Sequence, residues 1–142
     1  MISHLNKKNK PNIVNIAEKK ITRRKAIAEG VIKFSTSTFK KLKSLKTKKG
    51  EITSIAIIAG ILGAKKTSDL IPLCHNIEIE NIDIDIKTSE KNSTLKVISF
   101  VESNGKTGVA MEALTAVSLS CLTIYDMCKS IDKKIEIQSI RL

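Results

Sequence analysis

With 142 residues, of which 42% are hydrophobic, the chain is long enough for one domain with a sizeable buried core. It contains no Trp, one Tyr and three Phe, and this shortage of aromatic side chains argues against a protein that stacks RNA bases. No apolar run reaches the roughly 20 residues of a membrane-spanning helix, and the polar N-terminus lacks the apolar stretch of a signal peptide. Three cysteines without a CxxC pair are typical of a reducing compartment, so we expect a cytoplasmic protein.

The charge of the chain is unevenly distributed. The formal net charge is +11, and residues 1–49 hold 15 Lys and Arg but two acidic residues, whereas residues 50–142 hold ten and 12. A basic half beside a near-neutral half indicates a polyanionic partner; nucleic acid, a membrane surface and a phosphorylated small molecule all fit. Runs of lysine are commonly no more than a solvated face, so the charge alone selects none of these partners.

The first half of the chain predicts a tail, one strand and two helices. Residues 1–12 are polar and basic and are predicted to be a flexible tail, and residues 13–142 are predicted to form a single domain. Ala26–Phe34 is predicted to be a strand, and the spacing of apolar residues in Ser37–Lys46 predicts a short helix. Glu51–Lys66 follows a glycine and predicts a second helix. Its buried stripe is expected to be Ile52, Ile55, Ile58/Ala59 and Leu62, and Ile57 and Ile61 widen it, so that we expect burial on more than one side.

The second half predicts two strands, a long helix and a closing strand. Ile77–Lys87 alternates apolar and polar residues, but its isoleucines change phase at Glu80-Asn81, which predicts a bulge or kink there. Thr94–Glu102 is apolar on both alternations, so we expect a strand covered on both faces, by a helix or by another subunit. Gly108–Ser130 predicts the longest helix, and Lys134–Leu142 predicts the last strand. The core stripe of the long helix is predicted to be Leu114, Val117, Cys121, Ile124 and Cys128.

The order of these elements predicts the fold class. Strand, helices, two strands, helix and strand fit an α+β two-layer sandwich, ferredoxin-like in outline, in which a mainly antiparallel sheet carries helices on one face. No internal repeat is visible in the sequence, so we expect one such sandwich.

Two acidic residues of the predicted long helix are candidates for catalysis. Glu112 and Asp126 are 14 residues apart in the sequence, which places them on similar faces of a helix but ~21 Å apart along it. One helix cannot bring both to a small substrate, so either they serve different purposes or one site is built from two subunits; we favour the second hypothesis. Lys129 follows Asp126 at i+3. This spacing gives either an ordinary surface ion pair or a general acid/base beside a phosphate-binding ammonium.

Cys74 and His75 are the other reactive neighbours. Adjacent residues of an extended segment point to opposite sides, so we expect no nucleophilic Cys–His dyad, and His75 fits better as a hydrogen-bond donor or proton carrier in a pocket. GKT at 105–107 resembles the end of a phosphate-binding P-loop, but Phe100 stands where that motif requires glycine. The other histidine, His4, lies in the polar tail, so we expect no metal site.

Three segments taken together resemble the MoaC family, the cyclic pyranopterin monophosphate synthases of molybdenum cofactor biosynthesis. They are KKGEI at 48–52, IAGILGAKKTSDLIPLCH at 58–75 and GKTGVAMEALTAVSLSCLTIYDMCK at 105–129, with a weaker match over 14–30. The resemblance implies a lyase with a ferredoxin-like fold, assembled as a homohexamer (a trimer of dimers) with active sites at the dimer interfaces. The implied reaction converts 3′,8-cyclo-7,8-dihydroguanosine 5′-triphosphate into cyclic pyranopterin monophosphate and releases pyrophosphate, without a metal or redox cofactor.

The resemblance also implies roles for individual residues. Asp126 would be the acid/base residue, Lys129 its catalytic partner, and Lys49 a group that lies over the phosphates or assists proton transfer. The residues expected to line the substrate pocket are Leu73, Cys74, His75, Met111 and Glu112. The expected triphosphate contacts are Arg24, Lys65 and Lys66. Fixed cations of this kind stabilise the negative charge that accumulates on a leaving pyrophosphate.

The chain departs from the family pattern at several positions. Ala110 replaces a glutamate that the family usually has, and the family's Gly- and Lys-rich C-terminal extension has no counterpart after Leu142. Further differences are Asn15 for Asp, Ile57 for Arg and Asn76 for Pro. Loss of a pocket carboxylate predicts slower proton transfer, since such groups contribute ~10²–10⁴-fold.

Two alternatives to a working synthase follow from these observations. One is a partly degraded homologue that binds the substrate with weak turnover. The other is a basic RNA-binding α+β domain, which the few aromatic residues and the carboxylates in the best-patterned segments argue against. We expect a small-molecule nucleotide substrate, and neither nucleic acid nor a membrane as a partner.

Overall fold

The computed structural model describes residues 3–42, 44, 46–47 and 50–142. Within these ranges the strands are β1 (Thr22–Lys33), β2 (Lys46–Thr47), β3 (Gly50–Glu51), β4 (Asn81–Ser89), β5 (Thr94–Gly105) and β6 (Glu136–Arg141). The helices are α1 (Thr36–Lys41), α2 (Ile52–Lys65), α3 (Thr67–Leu70) and α4 (Ala110–Cys128). The main predicted strands and helices are therefore present in the predicted order.

The main sheet has four strands in the order β4-β5-β1-β6, and each neighbouring pair is antiparallel. The two long helices pack against each other on one side of this sheet, with α4 over β1 and β5 and α2 over β4. This strand order and the two β-α-β connections are those of a ferredoxin-like sandwich. The predicted α+β class and two-layer architecture are confirmed.

Alternation along β5 divides the sheet into a covered and an open face. Val97 and Val101 point toward the helices and are fully buried. Ile98 and Phe100 alternate with them and are half-buried, and Ile27 of β1, opposite Phe100 in the strand register, is 59% exposed. The described part of one chain covers one face of β5, so a cover on its second face would have to come from another chain.

α2 confirms the predicted helix, and its predicted buried stripe is right at Ile52 but wrong at Ile58 and Leu62. Ile58 and Leu62 are 58% and 51% exposed, whereas the buried residues of α2 are Ile52, Ala56, Gly60, Gly63 and Ala64. The Ser120 hydroxyl of α4 donates a hydrogen bond to the Ala56 carbonyl at 2.8 Å, and helices this close need small residues at their contact. The prediction fails at Ile58 and Leu62 because it ranked residues by hydrophobicity, while the contact with α4 selects them by size.

Several element boundaries differ from the expectation; for example, β1 begins at Thr22 rather than Ala26, and β5 extends to Gly105 rather than Glu102. α1 ends at Lys41, with Leu42 as its C-cap, and Lys46 belongs to β2, so the helix predicted as far as Lys46 is too long. β4 begins at Asn81 after a bend at Glu80. The change of hydrophobic phase therefore marks the start of the strand.

α4 shows the predicted core stripe in four of its five positions, since the buried residues include Val117, Cys121, Ile124 and Cys128. Leu114 is half-buried. The two cysteines are free thiols, and burial raises the pKa of each to about 11, so they act as apolar core residues. In the described part of the chain, no helix combines the length and hydropathy needed to cross a membrane.

Candidate active site

A cleft of about 530 Å³ lies between the segment after α3 and the N-terminal end of α4. Its walls include four of the residues expected to bind substrate, namely Leu73, Cys74, His75 and Met111. Ala110 also lines the cleft. Because the family usually has glutamate at that position, the carboxylate that this chain lacks would have stood in the wall of the cleft.

Glu112 lies behind the cleft wall. It is 2% exposed, its Oε1 is 3.9 Å from the Cys74 sulfur, and its Oε2 has no hydrogen-bond partner among the described residues. Burial raises the pKa of the Glu112 carboxyl, and burial together with the nearby carboxylate raises the pKa of the Cys74 thiol. A thiol whose pKa is raised is less readily ionised, so Cys74 is poorly suited to thiolate attack.

We expect Glu112→Gln to stabilise the protein at neutral pH, by about 1 kcal/mol, because it removes a buried carboxylate with an unsatisfied oxygen. An acid whose pKa is raised by folding destabilises the fold as pH rises above its unfolded value, here 4.5. The gain should therefore be present at pH 8 and disappear at pH 4. Thermal unfolding at both pH values measures it, with the exposed Glu90→Gln as a control of equal charge change. An equal gain at both pH values would contradict the assignment.

His75 is held by the N-terminal segment. Its Nε2 is 2.5 Å from the carbonyl oxygen of Val14, and since a carbonyl only accepts hydrogen bonds, Nε2 is the protonated nitrogen. Cys74 instead faces Glu112. The Cys74 thiol also lies 3.7 Å from the backbone carbonyl oxygen of His75, whereas the His75 ring is bonded to Val14, so the thiol and the imidazole have separate partners.

Asp126 and Lys129 lie at the other end of α4. Lys129 Nζ is 2.7 Å from Asp126 Oδ1, and both side chains are about half-exposed. The hydrogen bond to Asp126 raises the pKa of Lys129 and keeps it an ammonium. The predicted pairing is present; its catalytic role stays a prediction, and an exposed pair of this kind contributes little to stability.

The two long helices run antiparallel, and this separates the candidate residues into two groups. Gly63, near the C-terminal end of α2, packs beside Thr115 of α4, whereas Ala56, earlier in α2, is bonded to Ser120. The C-terminal end of α2 therefore lies at the cleft end of α4. Its N-terminal end lies toward the end of α4 that carries the Asp126–Lys129 pair.

The expected triphosphate contacts lie at the cleft end. Lys65 and Lys66 are exposed at the C-terminal end of α2, from which α3 leads to the cleft wall. Arg24 of β1 donates a hydrogen bond from Nε to the backbone carbonyl of Gly105 at 3.4 Å. Gly105 is the last residue of β5, and the lining residue Thr107 lies just after it. None of these three cations is among the residues that line the cleft.

The second group lies far from the cleft. It contains the Asp126–Lys129 pair. Lys49 is the third residue expected to act in catalysis, and it lies outside the described residues. Gly50, next in the chain, opens β3 directly before α2. Within one chain, most of the length of α4 thus separates the Asp126–Lys129 pair from the cleft.

The sequence did not reveal His4 as a residue of the cleft. His4 lies in a polar, basic segment without hydrophobic periodicity, so no sequence pattern predicts its location. The structure places it in the cleft wall. Within the described ranges, no group of three His, Cys, Asp or Glu side chains is arranged to hold a metal ion. The expectation of a reaction without metal or cofactor stays a prediction.

Comparison with known proteins assigns the family. Residues 13–142 match the MoaC family. The chain is 44% identical over all of its 142 residues to the cyclic pyranopterin monophosphate synthase of Clostridium acetobutylicum, of which it covers 88%. It is 48% identical over 99% of its length to proteins of the same name from Helicobacter hepaticus and Campylobacter jejuni subsp. doylei, and it covers 89% and 90% of them. The matched residues include Leu73–His75, Met111 and the α4 ion pair, and the chain belongs to the MoaC family.

Proposed function

We propose that the chain is a cyclic pyranopterin monophosphate synthase, a lyase of molybdenum cofactor biosynthesis. It would convert 3′,8-cyclo-7,8-dihydroguanosine 5′-triphosphate into cyclic pyranopterin monophosphate and release pyrophosphate. The observation that carries this proposal is the identity of 43–48% to curated synthases of that name over 99–100% of the chain. The site residues, the assembly and a cytoplasmic location are part of the proposal.

The cleft supports the binding of a nucleotide-derived substrate. Its apolar walls suit a ring system, with Leu73 and Met111 on opposite elements. The N-cap of α4, Val109, makes no side-chain capping bond, so the first N–H groups of the helix are available to an anionic group at Gly108. Leu73, Cys74, His75, Met111 and Glu112 are the proposed substrate-binding residues.

The cations around the cleft support a triphosphate. We assign Arg24, Lys65 and Lys66 to its phosphate groups, because these residues lie at the cleft end of the molecule. Pyrophosphate gains negative charge as it leaves, and positioned cations stabilise that charge more in the transition state than in the bound substrate. Lys49 is assigned to the phosphates or to proton transfer by its match to the family pattern.

Asp126 and Lys129 are the proposed acid/base residues. The carboxylate and ammonium are 2.7 Å apart, within hydrogen-bond reach, so a proton can pass from the Lys129 ammonium to Asp126. Their half-exposed position leaves them accessible to a substrate held by another surface.

The assembly we propose is a homohexamer, a trimer of dimers, in which each site combines the cleft of one subunit with the Asp126–Lys129 pair of another. The reason is distance: Glu112 and Asp126 are separated by ~21 Å along one helix, more than a small substrate spans. The exposed apolar residues of the helical layer support a contact between copies: Ile58, Leu62 and Leu122. Leu122 lies one turn before Asp126, so such a contact would border the acid/base pair.

A single-turnover experiment tests the proposed function. The purified protein is incubated with the cyclised dihydro-GTP substrate, and pyrophosphate and pterin product are measured together. We expect both products from the wild type and neither from Asp126→Asn. Saturable binding without product would favour a degraded homologue in which the alanine at position 110 has abolished turnover. The absence of binding would overturn the proposal.

A further inference from the structure

The N-terminal arm, residues 3–12, is folded into a turn. The Asn6 side-chain oxygen accepts hydrogen bonds from the backbone N–H groups of Lys8 and Lys10, at 2.9 and 3.0 Å. The Asn12 N–H donates to the carbonyl of His4 at 2.8 Å, which closes the base of the turn. These bonds give the arm a defined shape, and they fix the backbone of His4 at its start.

The arm contributes a residue to the wall of the cleft, and side chains at and near the cleft bind the segment that follows the arm. His4 is one of the residues that line the cleft. His75, from the opposite wall, donates to the carbonyl of Val14, and the Lys106 ammonium donates to the carbonyl of Ala17 at 3.2 Å. The chain is thus tied to the domain directly after the arm, at a residue that belongs to the cleft itself.

Polar side chains are few in this cleft, and two of them already have hydrogen-bond partners. The lining side chains that can make hydrogen bonds are those of His4, Cys74, His75 and Thr107. Nε2 of His75 is bonded to Val14, and the Cys74 thiol faces Glu112. This leaves His4 and Thr107, and the imidazole of His4 can donate a hydrogen bond to a ligand that carries acceptor oxygens, as a phosphorylated pterin precursor does.

We infer that the N-terminal arm is a wall of the substrate cleft and that His4 is a substrate-binding residue, placed by the Asn6 turn. The inference rests on the proposed function. It adds to the proposed substrate site a segment that the sequence alone predicts to be a flexible tail. His4 contributes to substrate affinity, whereas the acid/base chemistry belongs to other residues. Its loss therefore affects KM and leaves the chemical step largely intact.

Steady-state kinetics of His4→Ala test this assignment. We expect KM to rise about tenfold, the usual effect of losing one hydrogen bond to a charged group, with kcat within about twofold of the wild type. His4→Gln keeps a side-chain donor and should recover part of the affinity. Lys7→Ala, an exposed change in the same arm outside the cleft lining, should keep the wild-type KM.

The role of the turn is tested separately with Asn6→Ala. This change removes the acceptor of two backbone bonds, so it should raise KM in the same direction as His4→Ala while the melting temperature stays unchanged. A wild-type KM in His4→Ala would overturn the inference and leave the proposed function standing. If the wild type binds without turnover, the Kd from equilibrium dialysis replaces KM with the same expected ratio. A wild type without any substrate binding would overturn both.

Discussion

An equimolar mixture of the Asp126→Asn and Glu112→Gln variants is expected to recover about a quarter of wild-type activity, because random exchange makes half of the dimers mixed and leaves one intact site in each. Asp126→Asn alone should have lost at least about 100-fold in kcat, the contribution of a general acid/base group. Glu112→Gln keeps the shape of its side chain and removes its exchangeable carboxyl proton. The recovery follows from the ~21 Å that separates the two positions on α4.

The matched control for this experiment is a mixture of Asp126→Asn with Lys129→Ala. These residues form one ion pair at 2.7 Å, so they must serve the same half of a site, and their mixture should recover nothing. Subunit exchange is verified by native mass spectrometry of differently tagged chains. Absence of recovery in the first mixture, after confirmed exchange, would rule out a site shared between subunits.

Gly60→Ala is expected to lower the free energy of unfolding by about 2 kcal/mol, and the melting temperature by about 5 °C. A Cβ at this position would clash with the hydroxyl of Ser120 and the side chain of Ile84, and it would lie 3.0 Å from the carbonyl of Ala116. Ser120 also bonds to the Ala56 carbonyl, so relief of the clash by its rotation would break a buried hydrogen bond. These costs exceed the roughly 1 kcal/mol that alanine gains over glycine inside a helix.

Gly108→Ala is the control for the glycine prediction. No atom lies within 4 Å of a Cβ built at Gly108, so the same change there should be neutral or should stabilise by up to about 1 kcal/mol through the unfolded state. Both variants are unfolded by heat at one protein concentration, since assembly would add to the apparent stability. If Gly60→Ala were as stable as Gly108→Ala, the close contact of α2 with α4 would be absent.

The candidate site shows how far local patterns reach. The Asp126–Lys129 contact could be predicted because residues at i and i+3 of a helix are neighbours whatever the rest of the fold does. The separate directions of Cys74 and His75 were predicted from an extended chain for the same reason. The 3.9 Å contact between Cys74 and Glu112 joins residues 38 positions apart, and no spacing rule connects them.

The fold shows the same division. The sequence by itself determined the order and type of the main elements and hence the ferredoxin-like sandwich, because the periods of a helix and a strand repeat within a few residues. It also determined the family. Only the tertiary structure decided that Ile58 is exposed while Gly60 is buried, because the closeness of two helices depends on both of their surfaces. It likewise decided that His4 reaches the cleft, because the path of an aperiodic segment is set by the distant groups that bind it.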